Sequence, residues 1–213
     1  MDNYFVKDDK GENGPFTFDE LTDGRLEPDD LVRTPLSNWT KAGDLPEFVE
    51  YFRYEGYYFP TFDNLAGFGI RSLAFVIDYF IIGLIVRVEL SMFAAYIPVD
   101  KLSKLSLNGT VNPEDLNDVL KIEVAFLVTI IIYSFICYIT PLSATLGQYM
   151  CKLVVVDEGG EKLTFKKALT RSFARALSCL FFGAGFWFVF FTEYKQCLHD
   201  KLAKTFVVRK DVY

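Results

Sequence analysis

Apolar residues cluster in three long runs in the second two-thirds of the chain, and the first of these carries charges within it. Residues 68–88, FGIRSLAFVIDYFIIGLIVRV, hold Arg71 near the start and Asp78 inside. A membrane-spanning helix needs about 20 apolar residues. On an insertion scale a central aspartate costs about 2.5–3.5 kcal/mol, and each Leu, Ile, Phe or Val returns about 0.3–0.6 kcal/mol. The apolar residues from Ile70 to Val88 outweigh Asp78, so the run is expected to insert. Arg71 and Asp78 lie two helical turns apart on nearly one face, with Ala74 between them. An ionisable residue inside a membrane usually faces protein and marks a functional site; a purely structural ion pair that fixes helix packing is the equal alternative. The second run, residues 122–139, ends before Pro141, and the third, residues 173–191, is interrupted by Gly183-Ala184-Gly185. Spans are therefore expected at about residues 70–93, 122–139 and 173–191.

The N-terminal part follows another rhythm. Short apolar patches alternate with turn residues: Tyr4-Phe5-Val6, then Asp8-Asp9-Lys10-Gly11, then Gly14-Pro15-Phe16. Two strands around a turn are expected. Thr17 with Glu20 reads as a capping box that starts a short helix ending at Gly24. Residues 51–64, YFRYEGYYFPTFDN, are dense in aromatics, as membrane interfaces are. Farther on, Leu153-Val154-Val155-Val156, the turn Asp157-Glu158-Gly159-Gly160 and Leu163-Thr164-Phe165 read as a β-hairpin, to which Phe206-Val207-Val208 adds a third strand, and Thr164 caps an amphipathic helix through Lys166, Lys167, Arg171 and Arg175. The expected fold is a small soluble α+β N-terminal domain (residues 1–50), an aromatic interfacial linker (51–66), and an α-helical polytopic membrane domain (67–213) with a short cytoplasmic β-hairpin.

Two resemblances emerge from the residues. Tyr4, Gly14-Pro15-Phe16, Leu21, Gly24, Leu26, Leu31-Val32, Trp39, Ala42 and Pro46 resemble the bacterial GYF-like domain over residues 3–49. That likeness implies a β/α module binding proline-rich segments on an aromatic surface, for which Tyr4, Phe16 and Trp39 are the candidates; these aromatics equally suit the core of a tiny domain. Arg71, Asp78, Thr145-Leu146-Gly147-Gln148, the Val-Val-Asp hairpin, Ala168-Leu169 with Arg171, and residues 198–205, LHDKLAKT, resemble the RDD family over residues 64–210. The family takes its name from one arginine and two aspartates, which map here to Arg71, Asp78 and Asp200. The likeness implies a polytopic membrane protein loosely linked to transport, sometimes proposed as sodium/proton antiport.

Charge orients the chain. Residues 1–63 carry fifteen acidic and six basic residues, and the remainder is slightly basic. No basic leader precedes the first apolar run, so no cleavable signal peptide is expected. Lysines and arginines concentrate in residues 140–172 and 193–213, whereas residues 98–123 are acidic. Positive-inside reasoning places the first two of these in the cytoplasm and the third outside. A third complete span would put the tail outside, which conflicts. A third run broken at its glycines into half-helices that dip in and return resolves the conflict; three plain spans with an external tail is the alternative.

The remaining chemistry is sparse. Cys137, Cys151, Cys179 and Cys197 are scattered, His199 is the single histidine, and neither a metal site nor a cofactor is expected. No nucleophile–base set, P-loop or dinucleotide fingerprint suggests an enzyme, and net acidity argues against nucleic acid. The intramembrane charge set Arg71, Asp78, Arg171, Arg175 and Asp200 suits a small transporter or ion-coupled carrier of the inner membrane working as an oligomer. The alternative is a membrane-anchored adaptor, or subunit of a complex, whose cytoplasmic GYF-like domain recruits a partner peptide.

Overall fold

A computed structural model describes residues 3–8, 11–24, 26–92, 113–180 and 184–212. Two compact units divide the chain, Met1–Phe59 and Pro60–Tyr213. The loop of residues 98–112, with Asn108-Gly109-Thr110 and Asn112, lies outside the described residues, as do Gly183 and the expected end of the first span beyond Met92.

In the first unit β1 (Tyr4–Asp8) pairs antiparallel with both β2 (Gly11–Phe16) and β3 (Leu31–Arg33), and β3 pairs with β4 (Thr40–Lys41). The sheet order is β2-β1-β3-β4. The capping box forms as its sequence demands: the Glu20 carboxylate accepts from Thr17 N at 2.8 Å, and the Thr17 hydroxyl accepts from Glu20 N at 3.3 Å, opening α1 (Phe18–Leu21). Tyr4, Leu21, Val32, Phe48 and Phe52 build the core with α2 (Val49–Tyr54). Of the aromatic stretch expected to lie along a bilayer, the part up to Phe59 joins this core, and Pro60 to Asn64 belong to the second unit. Gly56, at φ +96°, takes a backbone conformation that favours glycine, and Tyr57 N returns to Phe52 O at 2.8 Å. Tyr57 and Phe59 then pack edge-on against the fully buried Phe52, each at 5.9 Å between ring centroids.

The second unit comprises α3 (Phe68–Met92), α4 (Pro113–Ile139), α5 (Leu146–Met150), β5 (Leu153–Asp157), α6 (Phe165–Leu180), α7 (Ala184–Trp187), α8 (Leu198–Ala203) and β6 (Thr205–Arg209). The predicted hairpin is corrected. Its turn exists, with Asp157 Oδ1 accepting from Gly159 N and Glu161 N, both at 3.0 Å. The second strand does not: α6 begins at Phe165, and Leu163 goes into the core. The partner of β5 is β6, in antiparallel register from Leu153↔Arg209 to Asp157↔Thr205. Residues 153–156 are all buried and need a ladder from elsewhere, which Phe206-Val207-Val208 supplies. The entrance to α3 joins the same sheet, because Ala66 N donates to Val207 O at 2.9 Å and Arg209 N to Asn64 O at 2.8 Å.

The third apolar run is not one helix. A Cβ on Gly185 would collide with the Ser178 side chain. Seven residues along a straight helix are separated by about 10 Å, so α7 lies back against α6.

Three helices share an inverted pattern. On α3, Arg71, Ala74, Asp78, Ile82 and Val86 are buried while Leu73, Val76, Phe80, Leu84 and Val88 are exposed. On α4, Val124, Val128, Ile132 and Ile136 are exposed and Thr129, Ser134 and Tyr138 buried. On α6, Phe165, Leu169, Phe173 and Leu177 are exposed and Arg171, Ser172, Arg175 and Ser178 buried. Polar inside and apolar outside suits lipid as the solvent. By length and composition, Val119–Ile139 is the one helix among the described residues apolar enough to cross a bilayer; α3 carries Arg71, Asp78, Arg87 and Glu89.

Phe52→Ala should destabilise the first unit by about 3–5 kcal/mol, as truncation of a buried aromatic does. Tyr54→Ala, at a 90% exposed position, should change stability by less than about 0.5 kcal/mol. Thermal unfolding followed by near-ultraviolet circular dichroism distinguishes these outcomes.

Candidate functional site

Helix α3 brings Arg71 and Asp78 to one buried face, but the two-turn rise of about 10 Å keeps them apart. Each finds partners on other elements. Asp78 Oδ2 accepts from Arg175 Nη2 at 2.7 Å and from the Thr145 hydroxyl at 2.6 Å. Asp78 Oδ1 accepts from the Tyr133 hydroxyl at 2.7 Å and from Gly147 N at 2.8 Å. Thr145 is the N-cap of α5, in a capping box with Gln148. Gly147 is a glycine because a Cβ there would strike the Ala74 carbonyl and the Asp78 carboxylate. The Thr-Leu-Gly-Gln segment is thus a cradle for Asp78.

Asp200 forms the second half. It sits at the third position of α8, where its Oδ2 accepts from Cys197 N at 2.8 Å and from Arg71 Nη1 at 2.5 Å. Its Oδ1 lies 2.5 Å from Arg171 Nη2. Arg71 Nε donates to Ala66 O at 2.9 Å, and Arg171 Nη1 donates to the Thr205 hydroxyl. Tyr138 joins the halves: the Arg171 guanidinium lies 5.1 Å from its ring centroid, and Arg175 Nη1 donates to its hydroxyl at 3.3 Å. All five sequence-predicted residues meet here, with the pairing Arg71–Asp200–Arg171 and Asp78–Arg175 in place of an Arg71–Asp78 pair.

Burial alone would raise the Asp200 carboxyl, but the Arg171 and Arg71 guanidiniums outweigh it and hold the group well below the usual carboxylate range. Burial drives His199 down to about 3, and Arg171, Arg175 and Arg71 reinforce burial against Asp200. The ring packs edge-on to Phe186 at 5.0 Å, and Nε2 stands 3.6 Å from Asp200 Oδ1. Cys197, His199 and Asp200 are close enough to share a metal ion, but the donor set does not suit one. Two guanidiniums occupy the carboxylate, and burial pushes the Cys197 thiol up to about 12, away from the thiolate a metal needs.

The peptide-binding candidates separate. Tyr4 is in the core, packed on Phe48 at 5.5 Å and Phe18 at 6.4 Å. Strand alternation turns it inward, so it cannot present a surface. Phe16 lines an open groove of about 650 Å³ with Val6, Pro15, Leu21 and Leu26. Trp39 stacks elsewhere, under the Arg33 guanidinium at 5.3 Å, which also covers Phe5 at 4.6 Å.

Comparison with known proteins matches residues 65–204 to the RDD family. The chain belongs to the RDD family. Residues 4–48 match GYF domain 2. An uncharacterized protein of Bacillus subtilis (strain 168), YxaI, is 36% identical over 157 residues, covering 68% of this chain and 97% of the relative. No solved structure matches the chain. The RDD match spans the residues that build the cluster up to Asp200. Reading the sequence alone misses Tyr133 and Tyr138, and names Thr145 and Thr205 only as members of motifs. The hydroxyls of Tyr133 and Tyr138 lie within the second apolar run, where a polar group in an otherwise aliphatic helix was the available signal.

Gly147→Ala should cost about 1–3 kcal/mol through overpacking against Ala74 and Asp78, while Gly83→Ala, with nothing within 4 Å of the new carbon, should not destabilise; melting in detergent checks both. For pH, a histidine lowered in the fold makes the unfolded chain bind more protons between about 6.5 and 3. Its contribution is complete above about pH 6.5 and is lost as pH falls, with a slope of up to about 1.4 kcal/mol per unit. The depressed Asp200 adds stability lost only below about 3.8, so unfolding from pH 6.5 to 4 should be measurably less acid-sensitive in His199→Gln.

Proposed function

We propose that the chain is a multi-pass protein of the inner membrane, anchored by its RDD domain, whose cytoplasmic GYF-like unit recruits an extended or proline-rich segment of a partner. The observation that carries this reading is the groove beside Phe16. It combines Val6, Pro15, Leu21 and Leu26 with the acidic side chains Glu20 and Asp30. A polyproline helix is preformed and docks in such apolar, aromatic-edged grooves at small entropic cost. The buried charges of the RDD domain favour an anchoring role, because Asp78 already accepts four hydrogen bonds and Asp200 is held by two guanidiniums.

The sheet favours two crossings with the third run returning. Residues 64–66, β5 and β6 are hydrogen-bonded together, so the entrance to α3, the segment after α4 and the tail share one side. The positive residues of 140–172 and 193–213 make that side cytoplasmic. A carrier that couples ion movement to the cluster, built as an oligomer because two spans make a thin wall, is the second reading; the small cavity among the arginines favours it.

Full-length protein in nanodiscs should bind a fluorescent proline-rich peptide. Phe16→Ala should weaken binding at least tenfold, about 1.4 kcal/mol, and Trp39→Ala less than twofold. Peptide binding that ignores Phe16→Ala overturns the groove assignment. For the carrier reading, ion flux in proteoliposomes should collapse in Asp78→Asn, and unchanged flux removes it.

A further inference from the structure

The buried cluster is not electrically balanced. Arg71, Arg171 and Arg175 face two carboxylates, Asp78 and Asp200, and each of the five side chains is at most 6% exposed. His199, buried beside three guanidiniums, adds no negative charge. One positive charge is left over, and an uncompensated buried charge is expensive.

The surplus has an address. A cavity of about 20 Å³ opens among Arg71, Asp78, Tyr138, Arg171, Arg175 and His199. That is room for one water-sized group and excludes polyatomic anions such as phosphate or sulfate. Two of the lining arginines keep buried donors without hydrogen-bond partners, Arg71 Nη2 and Arg171 Nε, and His199 Nδ1 is likewise unpartnered. These two donors belong to different helices, α3 and α6, and both guanidiniums converge on Asp200 from opposite oxygens. Guanidinium N–H groups in a water-poor site bind anions strongly, because charge-assisted hydrogen bonds gain from low dielectric.

We propose that this cavity is a site for one monatomic, monovalent anion, with chloride the physiological ligand, held by Arg71 and Arg171. A bound chloride would bring the cluster to neutrality and supply an acceptor to both free guanidinium donors. A water would satisfy the donors and leave the charge. The site is independent of the peptide-recruiting reading: it needs only the RDD domain, and peptide binding by the first unit neither supports nor weakens it.

The test is thermal unfolding of the full chain in detergent, with sodium chloride replaced by sodium gluconate at constant ionic strength. Chloride should raise the midpoint saturably, as a ligand of the folded state does, and bromide should substitute. Arg71→Lys keeps the charge opposite Asp200 but removes the free Nη2 donor, and should weaken the chloride dependence at least tenfold. Chlorine-35 line broadening on the wild-type protein, displaced by bromide and not by gluconate, gives a direct readout that stands even where Arg71→Lys fails to fold. Identical midpoints in chloride and gluconate with no line broadening overturn the site in favour of water. Chloride dependence undiminished in both Arg71→Lys and Arg171→Lys, folded by size exclusion, assigns the effect to some other surface and overturns it equally.

Discussion

Pairing Asp200 with two arginines is the constraint on which the second unit depends. Arg71 comes from α3, Arg171 from α6 and Asp200 from α8, so a single carboxylate draws three elements to one point. Breaking a buried pair by removing one partner costs about 3–5 kcal/mol because the other charge is left alone. The rest of the packing follows from meeting that demand: Thr205 comes to Arg171 as β6 begins, Tyr138 of α4 lies beneath Arg171 and Arg175, and α5 folds over Asp78. Small residues make room for this. Ala66, Ala74, Ala168, Ala174 and Ala176 are all buried, and they let backbones approach closely where larger side chains would hold the guanidiniums apart.

The same logic explains why the helices read inside out. In water the apolar face of a helix turns to the core; here leucine, isoleucine and phenylalanine line the outer stripes of α3, α4 and α6, and ion pairs, serines and alanines share the inner faces with apolar residues such as Ile82, Val86 and Ile130. With lipid outside there is no hydrophobic gain from burying leucine, and interior polar contacts decide the packing. The first unit obeys the ordinary rule, with eight buried apolar residues under a four-stranded sheet. The two packing rules therefore meet within the aromatic stretch, between Phe59 and Pro60.

How much of this was legible in the residues differs between levels. Arg71, Asp78 and Arg175 were readable because charge inside an apolar run has few explanations, whereas Arg171 and Asp200 came from the motifs that resemble the RDD family. Their pairing was narrowed without being fixed: Arg71, Arg171 and Arg175 were all candidate partners of Asp78, with Asp200 competing for the same arginines, and the choice of Arg175 is set by which helices adjoin. The capping box at Thr17 was local and formed as written. The hairpin failed for the opposite reason: Leu163-Thr164-Phe165 has strand-like residues and a proper turn before it, but Thr164 also suits the start of a helix, and a strand fifty residues later offered a better ladder. Tyr4 misled because an aromatic in a binding motif and an aromatic in a core look alike until strand alternation is known.

The position of β6 has a kinetic meaning. It pairs with β5, made some fifty residues earlier, and with the backbone ahead of α3, made more than 130 residues earlier. Until Asp200 and β6 are made, Arg71 and Arg171 lack the carboxylate they share and β5 lacks its partner strand, so the domain does not close by stages from α3 onward. Closure of such long-range contacts is slow and comes in one step. During that interval the domain carries an unpaired edge on β5 and two guanidiniums without their shared carboxylate, a state in which it can pair wrongly.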